Sequence, residues 1–450
     1  MKRLALTTED AMAVATRSRA AAPKEIGVFF LVRAASTRRG VRFIASNPYF
    51  LDSRDYEAHG AHQLRLSATL LSAMISRAEN EGTGLMFVHT HPDPEHPTGF
   101  SPVDRVALQD FATVIPSLLD GPFLAAVIGP GGWVAEVCGS EVWTPIERVT
   151  MAGRHSAILS PLNSSMGEPI DDRQDRALGS ISQQLRALDA AVIGCGGLGS
   201  PLVETLHRSG MRRLLLVDPD YLDHPSNVRR VFGSRMSDLS QTPPVSKVEI
   251  MRRHCGEIGL TTSIECIQGD VRCDEVLRAV LDADIILCTT DSHSSRAVLN
   301  AAAYAYHLPL IDGGVRVGRR HELYMAGLAA EVRISAPGTP CLWCRGTLSA
   351  ERIREENLPD EQRQQLQQEG YVIGSPGPQP SLCALTVMGA GMMSCALLAM
   401  LQSDAVDLPD SYMFDGHFGD SPRIPEVALR VDCSCHRLLG MADEADLGLR

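Results

Sequence analysis

The sequence predicts an α/β protein with two domains: a mixed sheet covered by helices at residues 1–150, and a largely parallel, doubly wound sheet at residues 171–450. Three observations support this prediction. A chain of 450 residues is too long to form a single core. Strand-like and helix-like segments are mixed in the first block, whereas they alternate regularly in the second. The stretch at 151–170 has no strong hydrophobic period, and we expect it to be a linker.

The composition narrows the classes of function. The net charge is −12 and there is no run of Lys or Arg, so the chain lacks the basic footprint that non-specific nucleic-acid binding requires. The first 25 residues contain no continuous apolar core, and we therefore expect a cytoplasmic protein. In that setting the 12 Cys indicate metal ligands and buried thiols rather than a disulfide framework.

One segment, at residues 383–401, is uncharged and long enough to span a bilayer. It is rich in Gly, Ala, Ser and Met, and acidic residues rather than basic anchors follow it. We therefore expect a buried helix and no association with a membrane.

The first block contains segments typical of strands and of amphipathic helices. Ser101 and Asp104 predict the capped start of its second helix. A Pro-Gly-Gly turn separates its last two strands. In order, the predicted elements are strands at 27–32 and 41–46, a helix at 64–78, a strand ending at 89, a helix from 102, and strands at 123–129 and 133–139.

Two histidines at the end of a predicted strand suggest a metal site. His89 and His91 are two residues apart, so their side chains point to the same side of the strand. Asp104, in the first turn of the following helix, can supply a third ligand. Two imidazoles, one carboxylate and a water make an open tetrahedral zinc site, which is the arrangement that hydrolysis requires. The segment between His91 and Ser101 also contains His96, which either has no role in the site or contacts the substrate.

The pattern H-x-H-P, a spacer, then S-x-x-D resembles the JAMM/MPN metalloproteases of the Mov34/JAB type over roughly residues 20–145. The resemblance implies an MPN-type fold and a deubiquitinase-like hydrolase activity. It assigns a catalytic Zn2+ to His89, His91 and Asp104, stabilisation of the oxyanion to Ser101, and general acid/base catalysis to Glu25. The alternatives are a catalytically dead MPN scaffold and an amidohydrolase barrel, which also opens with H-x-H.

The second block alternates strands and helices, as a largely parallel sheet with helices on both faces requires. A loop rich in glycine joins its first strand to its first helix, and its glycines permit a close approach of the backbone to phosphate: Gly194, Gly196, Gly197 and Gly199. Asp218, at the end of the next strand, suits a ribose hydroxyl pair. This pattern predicts a Rossmann-like nucleotide site, and taken alone it fits a dinucleotide-binding dehydrogenase equally well.

Four further motifs, DRQDRALG, SNVRR, SKVE and TTD, resemble those of the ThiF/E1-like activating family, which uses ATP and Mg2+ to adenylate the C-terminal glycine of a ubiquitin-like or sulfur-carrier protein. The resemblance implies that Arg173 reaches the phosphates, often across a dimer interface, and that Asp291 binds Mg2+. Asn227 and Arg230 match the S-N-x-x-R pair, and Lys247 matches the phosphate lysine. Carboxylate attack on an α-phosphate brings anions together and needs such cations, whereas a dehydrogenase does not.

Two cysteine pairs lie far apart in the second block. The resemblance implies that Cys341, Cys344, Cys433 and Cys435 enclose a structural Zn2+. The second pair is spaced C-x-C, which makes His436 an alternative ligand. Four unrelated buried cysteines are the alternative to a metal site.

Cys383 begins the apolar helix described above. This position makes it the best candidate for a thioester nucleophile, and the alternative is an ordinary buried thiol. Cys195 and Cys288 lie within fold motifs, and we expect them to be structural.

Together these resemblances predict a bifunctional enzyme: an E1-like adenylyltransferase fused to a JAMM zinc metallopeptidase, both acting on one ubiquitin-like β-grasp protein. We expect a homodimer, and an E2-like protein is a further expected partner. The resemblance also links such fusions to bacterial antiviral defence. One alternative is a sulfur-carrier adenylyltransferase that serves thiocarboxylate formation in cofactor or cysteine synthesis. The other is an inactive nucleotide-binding scaffold.

Overall fold

The computed structural model describes residues 1–60, 64–93, 98–139, 142–162, 169–318, 327–359, 361–362, 381–402, 408–416, 419, 421–422, 424–430 and 432–449. The chain divides into two compact units. The first comprises Met1–Ser165, Ala305–His307 and Leu438–Ala445, and the second comprises Met166–Tyr304, Leu308–Arg437 and Asp446–Arg450.

The first unit is built on a mixed sheet. Its elements are β1 (Lys2–Thr7), α1 (Thr8–Ala21), β2 (Gly27–Thr37), β3 (Gly40–Phe50), β4 (Tyr56–His59), β5 (Leu64–Leu66), α2 (Ala68–Asn80), β6 (Gly84–Thr90), α3 (Pro102–Val114), β7 (Phe123–Gly129), β8 (Gly132–Cys138), β9 (Trp143–Pro145), β10 (Arg148–Ala152) and β11 (Ala157–Ile158). A nine-stranded sheet has the order β11-β10-β1-β3-β2-β6-β7-β8-β9, and β4 pairs with β5 separately.

Both faces of this sheet are covered, which explains the unbroken apolar run in β2. Val28 and Phe30 pack into one core cluster, to which α1 contributes. Phe29 and Leu31 point the other way and pack into a second cluster with residues of α2. Strand residues alternate between the two faces, so each face receives every second side chain.

The structure corrects two boundaries in the first unit and adds two elements. The helix predicted at 64–78 begins at Ala68, because Ser67 caps it by accepting a hydrogen bond from the Leu70 N–H (3.2 Å), and Leu64–Leu66 forms a strand instead. The expected linker at 151–170 contains the end of β10 and all of β11, so the sheet continues past residue 150. The sequence analysis also missed β1 and α1.

The second unit is built on a largely parallel sheet. Its elements are α4 (Asp172–Leu178), α5 (Ile181–Ala187), β12 (Asp189–Ile193), α6 (Gly199–Arg208), β13 (Arg213–Val217), α7 (Pro225–Val228), α8 (Lys247–Ile258), β14 (Ser263–Ile267), α9 (Asp274–Val280), β15 (Ile285–Cys288), α10 (His293–Ala305), β16 (Leu310–Val317), β17 (Leu328–Ser335), α11 (Ala350–Glu356), α12 (Cys383–Met400), β18 (Ser411–Asp415) and α13 (Ser434–Leu438).

The strand order of this sheet defines where a ligand can bind. The sheet has the order β14-β13-β12-β15-β16-β17-β18. The first five strands are parallel, and β17 and β18 are antiparallel additions. The chain moves outward from β12 to β14 and then returns to the other side of β12 with β15. This reversal is the topological switch point of a Rossmann-like fold, and ligands bind there at the carboxyl ends of the strands.

The apolar helix α12 packs within the second unit. Among the described helices, α12 is the one that is long and apolar enough, by length and composition, to cross a membrane, with a mean hydropathy of 1.8. In the structure 44% of this helix is buried. Two glycines allow close packing: a Cβ on Gly389 would lie 2.9 Å from Leu198 Cδ1, and a Cβ on Gly313 would lie 2.2 Å from Met393 Sδ. Helix packing therefore accounts for the apolar residues on the buried side of α12, whereas Val387 and Met388 are exposed.

Candidate functional site

The first candidate site lies at the end of β6 in the first unit. The antiparallel pairing of β6 with β2 sets His89 opposite Gly27, and the His91 N–H donates to the Ile128 carbonyl (2.8 Å) on the other side. Both imidazoles are buried, each only 5% exposed. The carboxylate of Asp104 lies between them, with Oδ1 3.1 Å from His89 Nε2 and Oδ2 3.4 Å from His91 Nε2.

A capping box orients Asp104 at the start of α3. Ser101 Oγ accepts a hydrogen bond from the Asp104 N–H (3.2 Å), and Asp104 Oδ2 accepts one from the Ser101 N–H (2.6 Å). Burial alone would raise the pKa of Asp104, but hydrogen bonds from His89 and His91 outweigh it and hold the pKa well below its usual range. The spacing S-x-x-D thus has a structural cause, and the predicted oxyanion role of Ser101 stays a prediction.

The three donor groups fit a zinc ion. One ligand atom from each of His89, His91 and Asp104 lies within 4.8 Å of the others. Tetrahedral ligands at zinc distances of about 2.0–2.1 Å are separated by about 3.3 Å. The observed separations of 3.1 and 3.4 Å bracket this value. The sequence analysis predicts this group from the i, i+2 spacing of the histidines and the start of the following helix, and the three side chains do come together.

Glu25, the predicted acid/base, is buried just before β2. The register that pairs Gly27 with His89 places Glu25 opposite His91. The hydrogen bond that His91 donates to the Asp104 carboxylate is the main cause that raises the pKa of His91, and the charge of Glu25 adds to it. His96 lies outside the described residues. The geometry therefore groups Glu25 with the three candidate ligands, and its catalytic role stays a prediction.

The second candidate site lies at the switch point of the second unit, where β12 ends in the glycine loop. Gly194 has φ +99°, in the region that favours glycine. A Cβ on Gly199 would lie 1.9 Å from the Gly194 carbonyl oxygen, so the loop and α6 can approach only with glycine there. Gly196 borders open space, with no atom within 4 Å of an added Cβ. The Cys195 N–H is held by Asp218 Oδ2 (2.6 Å).

Acidic and basic side chains surround the loop. Asp218, buried at the end of β13, also accepts from the Asp220 N–H through Oδ1 (2.8 Å). Burial raises the pKa of Asp218, while the charge of Lys247 opposes that rise. Lys247, buried at the start of α8, forms an ion pair with Asp220 Oδ2 (2.5 Å). The predicted ribose aspartate and phosphate lysine are thus linked through Asp220, whose backbone N–H binds Asp218 and whose carboxylate binds Lys247.

Asn227 and Arg230 form one unit. Asn227 Oδ1 accepts from Arg230 Nε (3.2 Å) and from the terminal nitrogen of the same guanidinium (2.8 Å). A Cβ on Gly197 would lie 3.4 Å from the Arg230 side chain. The S-N-x-x-R motif therefore turns its arginine to the glycine loop, and the role of Arg230 in the reaction stays a prediction.

Two predicted residues lie at the edges of this site. Asp291 follows β15 and is exposed. Arg173 is exposed on α4, and its neighbour Gln174 donates to the Ser209 carbonyl (2.6 Å) just beyond the C-terminal end of α6. The ten residues of α6 span about 15 Å, so Arg173 lies far from the glycine loop of its own chain. The action of Arg173 on a second copy of the chain stays a prediction.

The four predicted cysteines come together. Their Sγ atoms lie 3.7 Å apart for Cys341 and Cys344, 3.4 Å for Cys341 and Cys433, and 3.9 Å for Cys344 and Cys435. Tetrahedral sulfurs at a Zn–S distance of about 2.3 Å are separated by about 3.8 Å. The thiol of Cys435, followed by those of its neighbours, lowers the pKa of Cys341 to about 5. The cluster therefore fits zinc with four thiols, so His436 is not needed as a ligand.

The remaining cysteines separate into exposed and buried groups. Cys383, at the start of α12, is exposed, so the expectation of a buried thiol is wrong at this position. Cys195 and Cys288 are fully buried, and burial raises the pKa of both thiols. These two fit the structural role that the sequence analysis gives them.

Comparison with known proteins identifies the family. Residues 172–434 match the ThiF family, and the chain belongs to it. The match is confined to the second unit, so the metallopeptidase character of the first unit remains a prediction.

Relatives with known activities resemble parts of the chain. The sulfur carrier protein ThiS adenylyltransferase of Bacillus subtilis is 29% identical over 166 residues, which is 37% of this chain and 46% of the relative. Its namesake in Escherichia coli is 31% identical over 134 residues, 29% and 51% of the two chains. The SUMO-activating enzyme subunit uba-2 of Caenorhabditis elegans is 31% identical over 123 residues, 27% of this chain and 20% of the relative. The chain thus spans about half, or less, of the length of these three relatives.

Among solved structures, E. coli MccB with ATP superposes with a TM-score of 0.45 at 16% identity, covering 61% of this chain and 76% of that one.

Proposed function

We propose that the second unit adenylates the C-terminal carboxylate of a small β-grasp carrier protein, with ATP and Mg2+ as co-substrates. The observation that carries the proposal is the set of groups at the switch point: the glycine loop, the Asn227–Arg230 pair and buried Lys247 lie around the ends of β12 and β13. A dehydrogenase needs the loop and the ribose aspartate but no such cations.

Each residue has a physical task in this reaction. The carrier carboxylate forms a bond to the α-phosphorus, and the bond to the bridging oxygen breaks, so that pyrophosphate leaves. Arg230 and Lys247 offset the negative charge that gathers as the two anions meet. Asp218 orients the ribose from the end of β13. Asp291, exposed after the end of β15, would hold the Mg2+ that accompanies ATP.

A sulfur-carrier protein is the favoured substrate. Several relatives are named for this reaction, including the two ThiS adenylyltransferases. In that case a sulfide-level sulfur nucleophile forms a bond to the carbonyl carbon of the adenylate, AMP leaves, and the product is a thiocarboxylate. The competing substrate is a ubiquitin-like protein, for which uba-2 is the precedent. A thioester on exposed Cys383 belongs to this second case. Dependence of the final product on sulfide or persulfide distinguishes the two.

Partner-dependent exchange of pyrophosphate into ATP tests the proposal. We expect exchange with a β-grasp protein that ends in Gly, and loss of more than about 100-fold in Asp291→Asn, since metal coordination stabilises the transferring phosphates. Glu275→Gln is the matched control, because this carboxylate is exposed on α9 and has no assigned role in the site. No exchange with either class of partner, in protein that binds ATP, would leave the inactive scaffold as the better account.

A second function is favoured for the first unit because its three donors fit zinc: metal-dependent hydrolysis of peptide or isopeptide bonds. A zinc ion held there would supply hydroxide near neutral pH and polarise the scissile carbonyl. Glu25 can carry the proton from water to the leaving amine. Since Ser101 Oγ accepts from the Asp104 N–H, its own proton can be donated to the oxyanion.

Zinc content and cleavage of carrier fusions together test this second function. Asp104→Asn should lose the metal and the cleavage. Asp110→Asn, which changes an exposed carboxylate two turns further along α3, should keep both. Retention of cleavage in zinc-free Asp104→Asn would contradict the assignment.

A further inference from the structure

The short helix α11 is attached to the first turn of α10, directly after β15. The carboxylate of Glu356, the last residue of α11, accepts hydrogen bonds from the backbone N–H of His293 (2.9 Å), the backbone N–H of Ser294 (2.8 Å) and the hydroxyl of Ser292 (2.8 Å). Ser292 Oγ also accepts from the Ser295 N–H (3.2 Å). The N–H groups that a helix start leaves unpaired are therefore satisfied largely by a side chain distant in sequence.

The contact extends along α11. Ser349, which caps the start of α11, donates its N–H to His293 Nδ1 (3.2 Å). Just past its end, Asn357 Oδ1 accepts from Arg272 (3.2 Å). Burial would raise the pKa of Glu356, but the hydrogen bonds it accepts outweigh that effect and lower it, so the carboxylate is ionised at neutral pH. We call this arrangement, α11 held on the first turn of α10, the α11 clamp.

We propose that Glu356 is a positioning residue for adenylation: through the α11 clamp, it fixes the direction in which Asp291 presents its carboxylate to the Mg2+ of ATP. Asp291 directly precedes Ser292, and the Ser292 N–H donates to Thr290 Oγ1 (3.2 Å). The turn that carries Asp291 is therefore held from within by Thr290 and from outside by Glu356. The inference rests on the proposed adenylation.

The charge of Glu356 has a second effect. The start of a helix carries a partial positive charge and attracts phosphate. At α10 this charge is offset by Glu356, while the start of α6, next to the glycine loop, has no carboxylate in its first turn. ATP phosphates are thus directed to the loop and to Lys247. Asp291, just after the end of β15, remains available to bind the metal.

Nucleotide binding by the full chain, with and without Mg2+, tests the role of Glu356. In Glu356→Gln an NH2 group replaces one carboxylate oxygen, so that two hydrogen-bond donors face each other at one backbone N–H of α10. In EDTA, we expect the Kd for a fluorescent ATP analogue to stay within about 2-fold of the wild type. The Mg2+ concentration that gives half of the maximal increase in ATP affinity should rise about 10-fold, because one hydrogen bond to a charged group is lost. Amide hydrogen exchange at His293 and Ser294 should become faster. Glu351→Gln, the same charge change at the exposed start of α11, is the matched control.

The outcomes separate the two proposals. Two results are required first: Mg2+ must tighten binding of the ATP analogue to the wild type, and Asp291→Ala must lose this effect. Failure of either overturns the Mg2+ assignment together with this inference. With both in place, an Mg2+ response of Glu356→Gln equal to that of Glu351→Gln overturns the inference alone. Weaker binding in EDTA also overturns it, because that result shows a general distortion of the site. If Glu356→Gln does not fold, Ser292→Ala is the second variant, because it removes the hydroxyl hydrogen bond to Glu356 and keeps the carboxylate. It also removes the acceptor of the Ser295 N–H, so Ser292→Gly, which loses the same two hydrogen bonds, is compared with Ser292→Thr, which keeps the hydroxyl and should restore the Mg2+ response.

Discussion

Gly199 and Gly196 belong to one loop but have different surroundings, and this contrast tests the nucleotide site. A Cβ on Gly199 would lie 1.9 Å from the Gly194 carbonyl oxygen and 2.7 Å from Thr289 Oγ1. Thr289 Oγ1 is itself hydrogen-bonded to that carbonyl (2.7 Å), so neither neighbour can rotate away and the loop has to move. A Cβ on Gly196 would have no atom within 4 Å.

The two alanine substitutions should therefore fail in different ways. Gly199→Ala should destabilise the second unit by about 3 kcal/mol, the upper end of the usual cost of overpacking. In a domain of this size that corresponds to a fall in Tm of roughly 6–12 °C. Gly196→Ala should change Tm by no more than about 2 °C. It should instead weaken ATP binding, because its open space is where we propose that the phosphates lie.

Thermal unfolding and titration with a fluorescent ATP analogue measure the two effects separately. Gly391→Ala in α12 is the control, because an added Cβ there also meets no atom, and alanine is favoured over glycine inside a helix by about 1 kcal/mol. Equal Tm values for Gly199→Ala and Gly196→Ala would refute the packing argument. Unchanged ATP affinity in Gly196→Ala would refute the proposed position of the phosphates.

Three further predictions concern metal, pH and thiols. The protein should bind two zinc ions, and Asp104→Asn and Cys341→Ser should each remove one, as elemental analysis of the purified variants would show; loss of both ions in either variant would contradict independent sites. Burial lowers the pKa of His307 from 6.5 to about 3, so the unfolded chain takes up the proton first and stability falls as the pH drops from about 6.5 towards 3, by up to about 1.4 kcal/mol per pH unit. Asn tolerates the positive φ at this position, so His307→Asn should make the free energy of unfolding, measured by denaturant titration at several pH values, depend less on pH over that range. An unchanged slope of this free energy against pH would refute the assignment. Cys383 and Cys395 are both exposed on α12, so alkylation should label both, whereas a thioester with an activated partner should be lost only in Cys383→Ser.

The local parts of both sites could be predicted from the sequence. The i, i+2 spacing of His89 and His91 sets their common side of a strand, and S-x-x-D sets a helix cap, whatever the rest of the chain does. The glycine loop follows the same logic at two positions, because Gly194 has a positive φ and a Cβ on Gly199 would meet the Gly194 carbonyl. The alternation of strands and helices predicted the parallel sheet of the second unit for the same reason.

The parts that failed depend on contacts distant in sequence. Leu64–Leu66 has an apolar pattern that fits a helix, but pairing with Tyr56–His59 makes it a strand. The expected linker is partly strand because Arg148–Ala152 pairs with β1. Neither partner can be read from the local sequence. The contact of Glu356 with α10 was missed for the same reason, since only the fold brings residues separated by more than 60 positions together.

The position of β1 in its sheet has a consequence for biosynthesis. Although it is the first element of this sequence, β1 lies between β3 and β10 and is parallel to both. Its partner Arg148 leaves the ribosome long after Arg3, and the unit also includes Leu438–Ala445. Domains usually fold in order as they are synthesised, but here the first unit reaches its full set of contacts only after residue 445 has been made. The second unit can therefore complete its sheet while the first is still waiting for its last segment.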